Sequence, residues 1–362
     1  MAYFDLTRTD LLFPMPINIP EPGPYYTCLV SMSDVASFPY EYALFFSPDH
    51  HREEGGIWLY LCDGEPTEYA NWISYEEAVA SGKFDHVTDK PDSNPIYLDS
   101  VQGSGHTETP HANVIDGLVY MTYHKNGIDG TQRTLLATSQ DGINFSRIHG
   151  NENSVVLTYD TSIDPGEGHT GYFRWSPNPF PDIEQKYVGY SLHGGGDDYH
   201  SAIWASNDAI SWKRLDILTP IEGYALDSGG HILIWHEMDP ASITQLPTGE
   251  FTAICGVGSR ASGGAPRITE LYEVFLAGDG RTLTRRCRKV LGIGGPDSPD
   301  AEELASPTSI FIGNTIHLIY VGASKGGSVN TVLGAKGKVN RKARGSTKLQ
   351  KSEPQRHIYN RV

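Results

Sequence analysis

Two histidines, a glutamate and a proline share the six residues from His106 to His111, inside GSGHTETPHANVIDGLVYMTYHKNG (Gly103 to Gly127). Imidazoles can ligate a metal or exchange protons near neutral pH, and a carboxyl group can act as acid, base or nucleophile. An alternating apolar run, Leu118 to Tyr123, follows directly and reads as a half-buried strand. The question is what holds so much ionisable chemistry beside a strand that wants burial.

The same pattern recurs along the chain. HTETPHANVIDGLVYMTYH around Pro110 matches HEMDPASITQLPTGEFTAICG around Pro240 and ELASPTSIFIGNTIHLIYVG around Pro307. GHTGYFRWSPNPFPDIEQKYVGYSLHG supplies a unit between the first two, and the more diverged YYTCLVSMSDVASFPYEYALFFS precedes them all. A second marker keeps the period. TSQDGINF (Thr138 to Phe145) matches ASNDAISW (Ala205 to Trp212), with Asp and Gly or Ala turning the chain and an aromatic packing back. LCDG at Cys62 and AGDGRTL at Gly278 sit at comparable places. Each unit reads as about four strands, and five such units predict an all-β fold: a five-bladed β-propeller of four-stranded antiparallel blades around a central axis. The clearest short helix is SYEEAVASGKF (Ser74 to Phe84), in the link between the first two blades.

In a propeller the first strand of each blade lines the axis, so equivalent positions converge. Counting four residues back from the prolines gives His106, His236 and Glu303, and the shared GHT aligns His169 with His106. Three readings follow: a divalent cation, calcium or zinc, held by His106, His169, His236 and Glu303; a polar sugar site in which the histidines donate hydrogen bonds; or histidines that only satisfy loop backbone. Carboxylates gather at the same end: Glu108, Glu167, Glu237 and Asp239, with Asp34 in the first unit. Sugar cleavage needs two carboxyl groups of separated pKa, which such a rim can provide. His111, Tyr172, Arg174, Trp175 and Trp235 are the expected substrate contacts, through stacking and hydrogen bonds.

The pattern resembles the five-bladed propeller glycosidases, the group of arabinanases, xylosidases, fructosidases and neoagarobiose hydrolases. The likeness covers most of Tyr25 to Gly334 and rests on ETP at Glu108 to Pro110, MDP at Met238 to Pro240, and VIDGLVYMTYH. It implies a hydrolase acting on an oligo- or polysaccharide, with a base in the first blade (Asp34), a pKa-tuning acid in the second (Glu108) and a general acid in the third (Glu167). It also implies a metal ion near the axis in some members. The first unit opens without Asp-Pro and the third lacks Glu-Gly-Pro, and the strongest acid-proline pair is at Asp239. The favoured carboxylates are thus Glu108, Glu167 and Asp239. Two rival activities use the same rim: a polysaccharide lyase built on His106, His169, Tyr172 and Arg174, and a lectin-like module that only binds.

Composition narrows the partners. The net charge is −16, and nine Lys or Arg against one acid lie from Lys336 onward. The remainder therefore carries 19 basic and 43 acidic residues and repels nucleic acid and anionic membrane. A propeller over residues 1–335 and a basic tail over 336–362 are expected, with carbohydrate as partner and neither nucleic acid nor membrane; the sequence sets no oligomeric state. No apolar run spans a bilayer, and MAYFDLTRTD lacks the pattern of a secretory signal, which reads as a cytoplasmic protein or one whose signal has been removed. Cys28, Cys62, Cys255 and Cys287 form no CxxC pair and read as isolated buried thiols.

Overall fold

The computed structural model describes residues 3–13, 23–48, 55–100, 107–126, 132–148, 155–157, 169–194, 200–218, 232–260, 267–324 and 329–339. Almost all regular structure is β. The first strand, β1 (Phe4–Phe13), belongs to the last blade. Blade one is β2 (Tyr25–Ser31), β3 (Tyr42–Ser47), β4 (Trp58–Cys62) and β5 (Trp72–Ser74). Helix α1 (Tyr75–Ala80) follows, its Ser74 cap and Glu77 bonded reciprocally, within the segment expected to be helical. Blade two is β6 (Glu108–Ile115), β7 (Leu118–Asn126), β8 (Gln132–Ser139) and β9 (Ser146–Arg147). Blade three is β10 (His169–Pro177), β11 (Tyr187–Gly194), β12 (His200–Ser206) and β13 (Lys213–Leu218). Blade four is β14 (Ile232–Gln245), β15 (Phe251–Arg260), β16 (Arg267–Leu276) and β17 (Arg288–Leu291). Blade five is β18 (Glu303–Ile312), β19 (Thr315–Ser324) and β20 (Val329–Val339), completed by β1. The five-bladed propeller read from the repeat is the fold.

Blade five has three strands from the C-terminal side and one from the N-terminal side. Phe4 pairs with Val339 and Arg8 with Ala335, so the two ends of the described chain lock into one sheet. Strand β20 thus extends past Gly334 into the basic segment, and Lys336 Nζ reaches Glu65 Oε2 of blade one at 2.9 Å.

The Asp-centred markers are the turns between third and fourth strands. Asp141 Oδ1 accepts from the amides of Ile143 (2.8 Å) and Asn144 (2.7 Å), and Asp208 Oδ1 accepts from Ile210 (2.9 Å) and Ser211 (2.7 Å). Gly142 takes a φ of 76° and Ala209 one of 60°, the left-handed turn that glycine takes without strain. The aromatics that follow pack back: Phe145 into the core between blades one and two, Trp212 edge-on against Phe173 and Trp175. All four cysteines are buried and free. Among the described residues no helix is long and apolar enough to cross a membrane.

The feature that shapes the axis is a bulge near the start of each inner strand. One extra residue is inserted in β2, β6, β10 and β18, marked by left-handed φ at Tyr26 (54°), Thr109 (51°), Tyr172 (52°) and Ser306 (51°). Pro110 and Pro307 follow two of these residues. A bulge tolerates proline because the ladder there needs no N–H. In β14 the first shift falls between Trp235 and Glu237, and Pro240 occupies a second one between Asp239 and Thr244. Glu237 accepts the Ser306 amide as Ser306 accepts that of Tyr26, so Glu237 is the blade equivalent of Thr109 and Ser306, and the alignment on Pro240 is two residues out.

Closure of the ring through β1 gives a direct test. Phe4, 1% exposed, fills the core beneath blade five, whereas Thr7 on the same strand is exposed. Phe4→Ala is expected to cost about 3–5 kcal/mol in denaturant unfolding and Thr7→Ala under about 0.5 kcal/mol. Equal effects would mean that β1 does not close the ring.

Candidate active site

The corrected register sorts the axial residues into levels. At the bulge stand Tyr26, Thr109, Tyr172, Glu237 and Ser306, one from each blade. Two residues further stand Cys28, His111, Arg174, Asp239 and Thr308. The seams between blades are stitched at both levels. At the first, Tyr26 N donates to Ser306 Oγ (3.1 Å), Thr109 N to Ser47 Oγ (3.0 Å), and Ser306 N to Glu237 Oε2. At the second, Ala112 N donates to Cys28 Sγ (3.2 Å), Leu29 N to Thr308 Oγ1 (2.9 Å), and Ser309 Oγ to Asp239 Oδ2 (2.5 Å).

A small cleft at the axis is lined by Tyr26, Thr109, Pro110, Tyr172, Phe173, Arg174 and Glu237. Arg174, 4% exposed, crosses it from blade three. Its Nη1 donates to the Pro307 carbonyl of blade five at 2.7 Å, and its Nη2 lies 3.6 Å from Glu237 Oε1. Glu237 also accepts the Ser306 hydroxyl at 3.2 Å. Tyr26 and Tyr172 meet hydroxyl to hydroxyl at 3.0 Å, rings 4.9 Å apart. Burial, then the neighbouring Tyr172, Glu108 and Glu237, hold the Tyr26 phenol well above its ordinary pKa, so it keeps its proton and can donate it.

Beside the tyrosines, Glu108 and His124 are fully buried as a pair, His124 Nδ1 lying 3.1 Å from Glu108 Oε1. The His124 ring stands 6.0 Å from that of Tyr172. Glu108 is fixed by its neighbour Thr107, whose carbonyl accepts Gly56 N (2.6 Å) and whose hydroxyl accepts Asp99 N (3.1 Å). Asp99 is in turn held by Tyr123 (2.7 Å) and Arg147 Nε (2.8 Å).

The second level is structural. His111 Nε2 donates to the Trp175 carbonyl at 2.7 Å, and burial, followed by the Arg174 charge, pushes its pKa down to about 3. Asp239 is pushed up to about 7, by burial above all, although Ser309 and the Ala241 amide (3.2 Å) bond it. A carboxyl poised near neutrality often marks an active site. Here geometry decides otherwise, because Glu237 lines the cleft and Asp239 faces the seam to blade five.

The expected residues therefore divide. Glu108, Glu237, Tyr172 and Arg174 come together at the axis. His111 is buried between blades. Trp175, 1% exposed, is core, packed on Tyr187 and Trp212. Asp34 is exposed in the turn after β2, beside the Asp116–Gly117 hairpin at the far end of the inner strands, away from the cleft. His106 and Glu167 lie outside the described residues, as do the side chains of His169, Trp235 and His236. Glu303 opens β18, half-buried. In register His169 and Glu303 share one level, whereas His236 stands two residues nearer the bulge. Among the described residues no three His, Cys, Asp or Glu side chains gather as a metal site. Sequence reasoning missed Tyr26, His124 and Ser306. Of these only Tyr26 had a signal, its place at the start of the inner strand of the first unit.

No protein-family model matches the chain, and no curated protein matches it in sequence. Solved structures match in fold. An N-acetylgalactosamine deacetylase from F. plautii, solved with blood group B trisaccharide, is 13% identical over 93% of this chain and 96% of its own, with a TM-score of 0.57. A glycoside hydrolase is 11% identical over 94% of both chains (TM-score 0.59), and a thermostable family-43 glycoside hydrolase is 11% identical over 91% and 92% (TM-score 0.52). The likeness is one of fold, that of the five-bladed propeller carbohydrate enzymes.

Two perturbed groups of the second level, Asp239 and His111, predict opposite pH responses. Asp239 binds its proton more tightly folded than unfolded, so the stability it contributes is present below about pH 4 and lost as pH rises to about 7. His111 binds its proton less tightly folded, so its contribution is present above about pH 6.5 and lost as pH falls towards about 3. Between about pH 4 and 6.5 the two offset. Relative to wild type, Asp239→Asn should tilt stability upward with pH across that window and His111→Gln should tilt it downward, read by urea unfolding at several pH values. Parallel curves would refute both assignments.

Proposed function

We propose that the protein is a glycosidase that hydrolyses a glycosidic bond of an oligo- or polysaccharide at the axial cleft. The observation that carries the reading is Glu237, a carboxyl group lining the cleft and oriented by three groups: the Ser306 amide, the Ser306 hydroxyl and Arg174. A carboxylate held this way presents a fixed oxygen, as a nucleophile or a water-activating base requires. Glu108 is the second carboxyl at the axis, paired with the His124 imidazole. The two tyrosines supply a flat, hydrogen-bonding wall for a sugar ring. Glu167 keeps the role of general acid that its place ahead of blade three suggests. A divalent cation belongs to this reading only as a guest of His106, His169 and Glu303.

The rivals are weaker on specific observations. A lyase needs a cation to neutralise a uronate carboxylate and a base to take the α-proton. Arg174, the cation of that reading, is already engaged by Glu237 and the Pro307 carbonyl. A lectin propeller repeats one pocket per blade, whereas the bulge level here carries Tyr, Thr, Tyr, Glu and Ser.

Turnover of a broad panel of aryl glycosides and oligosaccharides, followed by reducing-end release, tests the reading. Glu237→Gln should lower kcat by roughly 10²-fold or more, and Glu108→Gln by at least about tenfold, with circular dichroism unchanged. Near-normal rates in folded Glu237→Gln, or products carrying the ultraviolet absorbance of an unsaturated sugar, would overturn it.

A further inference from the structure

We propose that Ser306 is the positioning residue for Glu237, a role that rests on the glycosidase reading above. Three observations converge on it. Its main-chain N–H and its side-chain hydroxyl reach the two different oxygens of the Glu237 carboxyl group, Oε2 and Oε1. Its hydroxyl oxygen also accepts Tyr26 N at 3.1 Å from the opposite side. A hydroxyl has one hydrogen, and an oxygen that accepts from an amide turns that hydrogen towards its other partner. Tyr26 N therefore aims the Ser306 proton at Glu237. The Ser306 carbonyl accepts the Thr27 hydroxyl at 2.8 Å, which fixes the same residue to blade one through its main chain.

The backbone is part of the device. Ser306 holds a φ of 51°, a left-handed region that residues other than glycine seldom adopt. That conformation lets one residue offer both N–H and hydroxyl to a single carboxyl group across the seam. Thr109 occupies the same level in blade two with the same φ, so this fold carries a β-branched hydroxyl residue at such a bulge. Ser306 is not itself among the residues that line the cleft, and it bonds two that are, Glu237 and Tyr26. It acts through Glu237, fixing the plane of its carboxyl group while Arg174 approaches from blade three.

Ser306→Ala keeps the amide bond and deletes only the hydroxyl, and Ser306→Thr keeps the hydroxyl. With the glycoside that wild type turns over fastest, Ser306→Ala should lose about 10- to 100-fold in kcat with KM within about twofold, because an interaction that aligns the attacking group is lost while substrate contacts stay. Ser306→Thr should recover kcat to within about threefold of wild type. Hydrogen exchange at the Tyr26 amide should quicken in the alanine variant and not in the threonine one. Ser306→Ala with wild-type kcat, or a loss that Ser306→Thr fails to restore although it protects the Tyr26 amide, overturns the positioning role. Glu237→Gln measured alongside separates the two claims. If it is inactive while Ser306→Ala is normal, only the positioning role fails. If it is active, or if wild type turns over no glycoside, the glycosidase reading fails and takes this one with it.

Discussion

The constraint on which the structure depends is the amide set free by each bulge. An inserted residue drops out of its own ladder, and its buried N–H must find another acceptor. In this propeller the neighbouring blade supplies one. Ser47 takes the amide of Thr109, Ser306 takes that of Tyr26, and Glu237 takes that of Ser306. The seams are therefore polar at the level where the inner strands begin and apolar further out, where Phe45, Met121, Val257 and Leu318 fill the cores. Glu237 serves both purposes at once. As an acceptor it closes the seam between blades four and five, and as a carboxyl group lining the cleft it is available for chemistry.

This double use explains what could be read from the chain and what could not. Blade number followed from the recurring strand units, and the Asp-centred turns, whose side-chain bonds to following amides demand a particular residue order, marked the same period in the sequence. Prolines marked bulges, because a bulge is where an inner strand tolerates a missing N–H. That same logic misplaced blade four. Pro240 sits in a second bulge, and only the pairing of β14 with β15 reveals that the first lies between Trp235 and Glu237. The slip moved attention from Glu237 to Asp239 and put His236 on a level with His106. Ser306 and His124 carried no signal, because their roles arise from partners 69 and 16 residues away: Glu237 across a seam, and Glu108 in the paired strand. The closing strand β1 is an ordinary alternating stretch in sequence, and its place in blade five is a matter of topology.

Strong pKa shifts fall on the seams as well as at the cleft. His111 and Asp239 are displaced in opposite directions by the same cause, burial, and each is satisfied by main chain or hydroxyl from the next blade. At this level perturbation measures how deeply the seam is buried. Accessibility to the cleft, and orientation by donors that are themselves fixed, separate Glu237 from Asp239.

The asymmetry of the ring then follows from one residue without an amide. At the second level, side chains meet the main chain or hydroxyl of the residue one further on in the next blade: Cys28 meets Ala112, His111 meets Trp175, Asp239 meets Ser309 and Thr308 meets Leu29. By register, the residue opposite Arg174 is Pro240, which has no N–H to offer. Arg174 is also the one member of its level that can only donate. The mismatch is resolved by releasing the guanidinium across the axis to the Pro307 carbonyl and Glu237. A five-fold repeat whose seams were all alike would have an empty, symmetric hub. Here one proline and one arginine on neighbouring inner strands break that likeness and bring Arg174 to the Glu237 carboxyl group instead.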